Sequence, residues 1–525
     1  MNDLKNHFDE DFYLSKYPDV DRNDIDPLIH YCLFGWREGR DPRADFSTIT
    51  YLDLYRDVVD ADVNPFWHYI VNGRKEGRVA QHPGGIKAEI LKNVIPLGRM
   101  VQQLKKNEAP PELLTEVNIE ECILKNNSDP SGCIVISISH DNYKKIIAGT
   151  QLCIQLEEQQ ALQRGWTYLN VHPWQPLPIL ASTSNKNDPL VALVLNGQVI
   201  GCCYPSVLTA ALQKVIDNKN LIVYTIIHSL LGHSVDHVKK WVMLNQNKRC
   251  WIWLHDFFTL CPSYSLQRNN ISFCNAPELE SNACNICNYG DERVSHLAQM
   301  KDLFINVSAT IISPSEFTKK LWLSKLENHK YEVIVLPHME LKWIDYKKHS
   351  LEAIEKPISI GYLGSKVYHK GWYIFEKLVN LFGDHSKFKF YYFGNQINKM
   401  TRVQNINISV SGSDPLSMVN AIAEIELDFV LNWAMWPETF SFTAHEALAG
   451  GAHVLTNTNS GNVTSIVNQS KMGTIFNDEN ELLSFFSQGM IEQTAKKMRA
   501  LNATRNCHPS FSEMTIPLLI NERTL

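Results

Sequence analysis

From Cys133 onward the chain alternates short apolar runs with helix-length segments, and it passes through this alternation twice. The first series holds Cys133-Ile-Val-Ile-Ser-Ile-Ser, Leu221-Ile-Val-Tyr-Thr-Ile-Ile, Cys250-Trp-Ile-Trp-Leu, Ala309-Thr-Ile-Ile-Ser and Val333-Ile-Val-Leu. The second begins at Ile358-Ser-Ile-Gly-Tyr-Leu-Gly, continues with Phe388-Lys-Phe-Tyr-Tyr-Phe-Gly and Phe429-Val-Leu, and ends near Ala452-His-Val-Leu-Thr. A strand covered on both faces reads as an unbroken apolar run, and parallel neighbours need a crossover helix between them. Two Rossmann-like, doubly wound α/β domains in series are therefore expected, with a cleft where strand ends from both sides meet. Asn196-Gly197, between Leu190-Val-Ala-Leu-Val-Leu and Gln198-Val-Ile-Gly, adds one antiparallel hairpin to the first domain.

At 525 residues the chain is too long for one core, so about three units are expected. Residues 8–40 and 46–78 match without a gap at 14 of 33 positions, at the single offset of 38 that carries Phe8 onto Phe46. Each copy predicts a helix around Tyr-Leu-x-x-Tyr, a Pro-started second helix and a Gly turn bearing Glu-Gly-Arg. Neither copy has enough apolar residues for a core of its own, so residues 1–82 are expected to be a stacked, mainly helical tandem repeat. The repeated His and Arg read as turn and packing residues, and the module as a structural or docking unit for another protein or domain. Residues 83–130 read as a connector: a loosely amphipathic helix from Ile86 to Lys106, a break at Pro110-Pro111, then a polar stretch from Lys125. The first α/β domain is placed at 131–345, with a Cys-rich loop at 256–290. A charged hinge at Lys342 to Lys356 leads to the second domain at 355–508, followed by a C-terminal segment at 509–525.

The charge balance of 50 basic against 56 acidic residues, net −6, gives no reason to expect nucleic acid or an anionic membrane as the main partner. No apolar run is long enough to span a bilayer, which leaves only peripheral membrane contact open. The first ten residues lack the apolar core of a signal peptide, so a cytoplasmic location and reduced thiols for the twelve cysteines are expected.

The chemistry is densest in Trp436-Pro-Glu-Thr-Phe-Ser-Phe-Thr-Ala-His-Glu-Ala-Leu-Ala-Gly-Gly, where Glu438 and Glu446 stand eight positions apart. Glu438 follows a Pro turn after an apolar run, while Glu446 lies in a short helix that Gly450-Gly451 would end. Two carboxylates at different depths can accept sugar hydroxyls, and the free N–H groups at the helix start can hold an anion. A second segment, Gly364-Ser-Lys-Val-Tyr-His-Lys370-Gly371, follows a strand directly. A glycine turn there lets backbone amides approach a diphosphate, and a lysine adds charge. Alone, the glutamates would read as a solvated helix face, and the glycine segment as an ordinary strand-to-helix turn with a surface lysine.

Together these residues resemble the E-x7-E motif and the G-R-x4-K-G segment of retaining glycosyltransferases of the GT-B fold, in particular glycosyltransferase family 4. The resemblance covers about residues 131–508 and is best over 358–470. It implies that Glu446 accepts the donor ribose hydroxyls and that Glu438 holds hydroxyls of the transferred sugar. Thr439, Phe440 and Ser441 lie between them on the donor side, and Gly364, Ser365 and Lys370 face the diphosphate. Ser365 replaces the family's Arg, and Lys366 is the neighbouring residue able to supply that charge from another direction. His255, at the end of its strand, looks like the family histidine that approaches the donor sugar from the opposite domain, with Asp256 beside it. The Ala148-Gly149-Thr150-Gln151 loop resembles the G-G-x-E loop, so Gly149, Thr150 and His228 fall on the acceptor side. His228 reads equally as structural, and His233 reads as structural.

The resemblance thus implies a transfer from a nucleoside diphosphate sugar to a hydroxyl of a glycan or lipid-linked glycan, with retention, in bacterial surface polysaccharide or glycoconjugate synthesis. A hexosyl group is the expected cargo. No D-x-D pattern occupies a strand end, which points to chemistry without a catalytic metal. Two alternatives stay open: a sugar-nucleotide epimerase or hydrolase on the same scaffold, and a non-catalytic scaffold or glycan-binding subunit. Cys261, Cys274, Cys284 and Cys287 fall in a loop with few apolar residues, the last pair as C-x-x-C. They read equally as a structural zinc site or as four free buried thiols, with disulfides third.

Overall fold

The computed structural model describes residues 2–22, 25–80, 85–104, 113–126, 132–182, 188–219, 221–245, 247–279, 281–326, 331–345, 356–383, 385–396, 400, 402–502 and 505–523. Pro110-Pro111 and most of the hinge, residues 346–355, lie outside them.

The first domain contains β1 (Cys133–Ile138), β2 (Thr167–Pro173), β3 (Val191–Leu195), β4 (Gln198–Cys203), β5 (Ile222–Ile227) and β6 (Arg249–Trp253). A small hairpin of β7 (Gln267–Arg268) and β8 (Ser272–Phe273) then interrupts the Cys-rich loop, before β9 (Ser308–Ser313) and β10 (Glu332–Val335). The main sheet runs β10-β9-β6-β5-β1-β2-β3-β4 and is parallel except for the expected hairpin β3–β4 and its pairing with β2. Alternate residues of β1 enter different cores. Ile134, Ile136 and Ile138 pack on one side, Cys133 and Val135 on the other, which is why the strand reads as one apolar run.

After β11 (Met339–Asp345), the second domain contains β12 (Ile358–Leu363), β13 (Phe388–Gly394), β14 (Val403–Asn407), β15 (Phe429–Leu431), β16 (His453–Asn457) and β17 (Gly473–Phe476). Its sheet is fully parallel in the order β14-β13-β12-β15-β16-β17. Counted from its first strand this is the 3-2-1-4-5-6 order of dinucleotide-binding domains, and the switch point lies between β12 and β15. The fold class is therefore as expected: two doubly wound α/β domains, preceded by a helical region.

Within the two large sheets, three strands have no counterpart in the sequence reading. β14 and β17 are edge strands, one rich in polar residues (Gln404, Asn405, Asn407) and one opening on Gly473, as edges that avoid further pairing tend to be. β2 carries Asn170 inside the sheet, where its amide bonds Ser137 and Ser139. The hinge reading needs correction at its start. Lys342 lies inside β11, which pairs antiparallel with β18 (Arg505–Phe511), from Met339 opposite Phe511 to Asp345 opposite Arg505. The chain then returns to the first domain, where Met514, Ile516 and Leu519 join the core of Val135 and Tyr224.

The single amphipathic helix expected in the connector is two, Gly85–Lys92 and Leu97–Leu104. A third, Glu116–Asn126, buries Ile119 and Ile123 in the first domain's core. In the N-terminal region the two copies share a tyrosine–histidine hydrogen bond and an arginine ion-pair cluster. Tyr13 bonds His30 at 2.9 Å, and Tyr51 bonds His68 at 3.0 Å. Arg40 pairs with Asp19 and Glu38, and Arg78 pairs with Asp57 and Glu76. A shared aromatic core with Phe46, Tyr31 and Phe66 joins the copies, supplying the burial that neither has alone.

Candidate active site

Strands β1, β5 and β6 deliver Ser139, His228 and His255 to the carboxyl edge of the first sheet. His228 and His255 come together there: His228 Nδ1 lies 3.0 Å from His255 Nε2. The other His228 nitrogen, Nε2, lies 3.1 Å from Glu157 Oε1, on the helix Gly149–Gln163. Glu157 is fully buried and also accepts the Tyr168 hydroxyl at 2.8 Å and the Thr515 backbone N–H at 3.3 Å. Burial pushes its carboxyl up, but the neighbouring His228 and the hydrogen bonds from His228, Thr515 and Tyr168 outweigh it and hold the group below its usual range. An ionised Glu157 can only accept, so His228 Nε2 donates to it, and one hydrogen bond joins His228 Nδ1 to His255 Nε2.

Rings enclose His255. Trp253 lies 5.2 Å away at 10° and His338 5.1 Å away at 29°. Burial and the neighbouring imidazoles press His255 well below its normal pKa, and burial brings His338 down to about 3, so both are neutral at pH 7. His255, His338 and Cys153 bring one ligand atom each within 4.8 Å of one another, and the His338 Nδ1 is buried without a partner. Glu157 and His338 escaped the sequence reading. Glu157 stands in a Glu-Glu-Gln-Gln run that reads as a solvated helix face, and His338 follows a strand whose end was not singled out.

On the facing domain, the short turn Tyr368–Lys370 ends at Gly371, which is left-handed at φ +83°. A Cβ at Gly371 would lie 2.2 Å from the Trp433 carbonyl oxygen, so only glycine lets this turn pack on the loop after β15. Lys370 Nζ thereby reaches Glu438 Oε1 at 2.5 Å, and the Trp436 indole N–H donates to the same oxygen at 3.0 Å. Glu438 is 5% exposed, while the lysine side chain keeps 39% of its surface open. Gly461 holds the other side: a Cβ there would meet the Glu438 backbone nitrogen at 2.6 Å.

Glu446 lies on the helix Phe442–Ala449, which ends at Gly450 with Gly451 left-handed at φ +89°. It is buried and has no side-chain hydrogen bond among the described residues, and burial alone raises its carboxyl to about 8. One turn earlier Thr443 lines a crevice with Tyr362, Leu363, Lys370 and Asn432. The crevice thus opens at the β12/β15 switch point, on the carboxyl edge of the sheet. Asn432 donates to the Ser441 and Thr443 hydroxyls, both at 3.1 Å, and fixes the helix entry, where Ser441 itself is left-handed at φ +68°.

The domains touch through these same loops. Thr439 donates its hydroxyl to the His255 carbonyl at 2.7 Å, and its own carbonyl accepts from Ser315 and Thr318. Ala434 and Trp436 join the hydrophobic core of the first domain. Gly149, in the first turn of its helix beside Thr150, packs so close to Phe442 that a Cβ would lie 3.0 Å from that ring. Phe440 stacks on His445 with ring centres 4.0 Å apart and meets His338 edge-on.

Several expected residues lie elsewhere. The Lys366 ammonium sits 4.4 Å over the Tyr392 ring and 5.3 Å from the Trp372 ring. Desolvation there lowers its pKa to about 8. Ser365 accepts the Tyr362 hydroxyl through its carbonyl. Asp256 caps its own turn, accepting the Phe258 N–H at 2.8 Å. His233 bonds the Ser139 carbonyl and is neutral, at about 4 after desolvation. No helix among the described residues is long and apolar enough to cross a membrane.

No protein-family model matches the chain, and no curated protein does. Among solved structures it is similar to Anabaena HepE in complex with UDP and glucose, at 13% identity and a TM-score of 0.40 over 74% of this chain and 98% of that one. It is similar to a glycosyltransferase from Rickettsia africae, at 13% and 0.39 over 75% and 98%. The catalytic domain of Arabidopsis thaliana starch synthase IV bound to ADP and acarbose gives 9% and 0.40 over 71% and 95%. These identities and scores are too low to carry an activity across.

Proposed function

We propose that the chain transfers a hexosyl group from a nucleoside diphosphate sugar to a hydroxyl of a glycan or lipid-linked glycan, with retention, in the synthesis of a bacterial surface polysaccharide or glycoconjugate. The observation that carries this reading is the crevice at the β12/β15 switch point. A lysine–glutamate pair flanks it, and a buried carboxyl with no hydrogen-bond partner among the described residues lies one turn beyond Thr443. Glu446 would bond the ribose hydroxyls. Lys370 and the first-turn amides of the helix Phe442–Ala449 would take the charge of the leaving diphosphate. Glu438 would hold hydroxyls of the sugar beside the carbon that reacts, and His255 would approach it from the first domain.

In the retaining step the bond from the anomeric carbon to the diphosphate oxygen breaks. The acceptor oxygen bonds that carbon on the same face, and the acceptor proton passes to the departing phosphate oxygen. The protein's part is positioning and charge stabilisation, which calls for no catalytic metal. A second reading, a non-catalytic GT-B subunit that binds glycan, draws on Ser365 and on Lys366 being held against aromatic rings. Thermal shift of the purified protein with UDP-, GDP-, dTDP- and ADP-sugars separates the two. A clear rise with one nucleotide is expected, and no rise with any would favour the subunit reading.

Glu157 would act as a positioning residue, holding His228 and through it His255. Glu157→Gln should lower kcat by about tenfold or more with little change in donor KM. Unchanged kcat, or a loss of kcat matched by an equal rise in KM, would make the relay merely structural.

A further inference from the structure

Among the described residues, the Cys-rich loop runs from β6 to the helix Gly290–Asn306 with only the hairpin β7–β8 and a single helical turn, Asn282–Asn285, inside it. Its backbone is irregular, with left-handed residues at Leu266, Asn269, Asn270, Asn275 and Ala276. Phe257, Phe258, Leu260 and Leu266 anchor its start in the first domain's core, but from Gln267 to Tyr289 only Cys274 and Ala276 pack against that core among the described residues. Even so, Cys261, Cys274, Cys284 and Cys287, separated by up to 26 positions of chain, all line one cavity. Every one is a free thiol. Cys284 and Cys287 sit on a tight turn in which the Cys287 N–H bonds the Cys284 carbonyl, and the Gly290 N–H bonds that of Cys287. A Cβ at Gly290 would fall 1.9 Å from the Cys284 carbonyl oxygen, so the next helix starts directly against this turn.

Arg293 lines the same cavity. It is only 6% exposed, its Nη1 lies 3.1 Å from Cys284 Sγ, and its Nε is buried without a partner. No carboxylate pairs with it among the described residues. A buried guanidinium with no anion is costly, and four neutral thiols do not offset it. Four thiolates around a divalent ion carry a net charge of −2, which would.

We propose that Cys261, Cys274, Cys284 and Cys287 form a structural tetrathiolate zinc site, with Arg293 as the neighbouring cation. Binding replaces four S–H bonds with four Zn–S bonds and releases four protons to solvent, with no redox change. No three of these Sγ atoms lie within 4.8 Å of one another, so the ion draws them inward over the cavity.

The site would brace one wall of the interdomain region. Gln267, on β7, donates to the Met435 carbonyl at 3.1 Å, three residues before Glu438. Asn288 accepts the Leu97 N–H and donates to the Ile95 carbonyl, which ties the connector to the loop.

Metal analysis of the full chain purified without chelator tests this independently of any sugar-transfer activity. About one zinc per chain is expected, and cobalt in its place should give the intense visible bands and thiolate charge-transfer absorption of a tetrahedral tetrathiolate. Cys284→Ser with Cys287→Ser should cut bound zinc by about tenfold or more while circular dichroism shows whether the domains remain folded. Metal-free wild-type protein with these four thiols titratable would overturn the proposal. So would a disulfide among them, zinc retained in the double variant, or a cobalt spectrum without thiolate bands.

Discussion

Glu438→Gln is expected to lower turnover by about 10²–10³-fold while a nucleoside diphosphate binds as tightly as before or more tightly. The asymmetry comes from the pairing in the free protein. Glu438 Oε1 accepts from both Lys370 and the Trp436 indole, so the lysine that would meet the diphosphate is held by the carboxylate that would meet the sugar. Donor binding has to share Lys370 between them. Removing the charge at Glu438 releases the lysine for phosphate but takes away the acceptor beside the reacting carbon. Lys370→Met should act the other way, weakening nucleoside diphosphate binding by about tenfold or more. Calorimetry on both variants, together with single-turnover rates, reads these effects separately. If Glu438→Gln weakened the bare diphosphate and left turnover intact, the two roles would have to be exchanged.

The second large effect concerns stability. Burial holds the Glu446 carboxyl at about 8 against a usual 4.5, so the folded chain keeps a proton that the unfolded chain releases over that interval. Stability from this group is therefore complete below about pH 4.5 and declines as pH rises toward 8. At pH 7 the loss is about 3 kcal/mol, at 1.4 kcal/mol per pH unit. Glu446→Gln keeps the shape and removes the titration. It should raise the unfolding free energy at pH 7 by a similar amount and flatten its slope between pH 5 and 8. Denaturant melts across that range would show it, and an unaltered slope would mean the carboxyl is hydrated in solution. Glu446→Ala should instead weaken nucleotide binding by about tenfold or more, through loss of the ribose contacts. If it left nucleotide binding unchanged, the donor pocket would have to lie elsewhere. A residue that destabilises the free protein in this way fits a binding role, since such sites commonly carry a cost in stability.

Much of the candidate site was legible because its parts occupy two short windows. Gly364 to Gly371 and Trp436 to Gly451 each fit within one turn and one helix start, where spacing alone fixes which groups can meet. The left-handed conformations at Gly364, Gly371 and Gly451 agree with that reading. The direction of Lys366 was not legible, because it depends on Tyr392 from a neighbouring strand and on Trp372 from the next helix. Nor was the Glu157–His228–His255 chain, whose members are 71 and 27 positions apart and meet only across two parallel strands and a helix. Edge strands β14 and β17 escaped for a related reason. With one side unpaired they carry polar residues or glycine, and the apolar run that marks a central strand is missing.

By itself the sequence determined the repeated strand–helix alternation, hence two parallel sheets, the tandem copies at the N-terminus, and the residues of the lysine, glutamate and glycine turns. All of these follow from local burial pattern, local backbone preference or internal identity. Only the tertiary structure decided that β12 and β15 are neighbours, and that Trp436 is buried in the opposite domain. It alone brought the helix Ile516–Arg523 back onto the first core, and linked Glu157 to His255. An apolar run specifies that a strand is covered on both faces, but the partner that covers it is chosen by the packing of the whole chain.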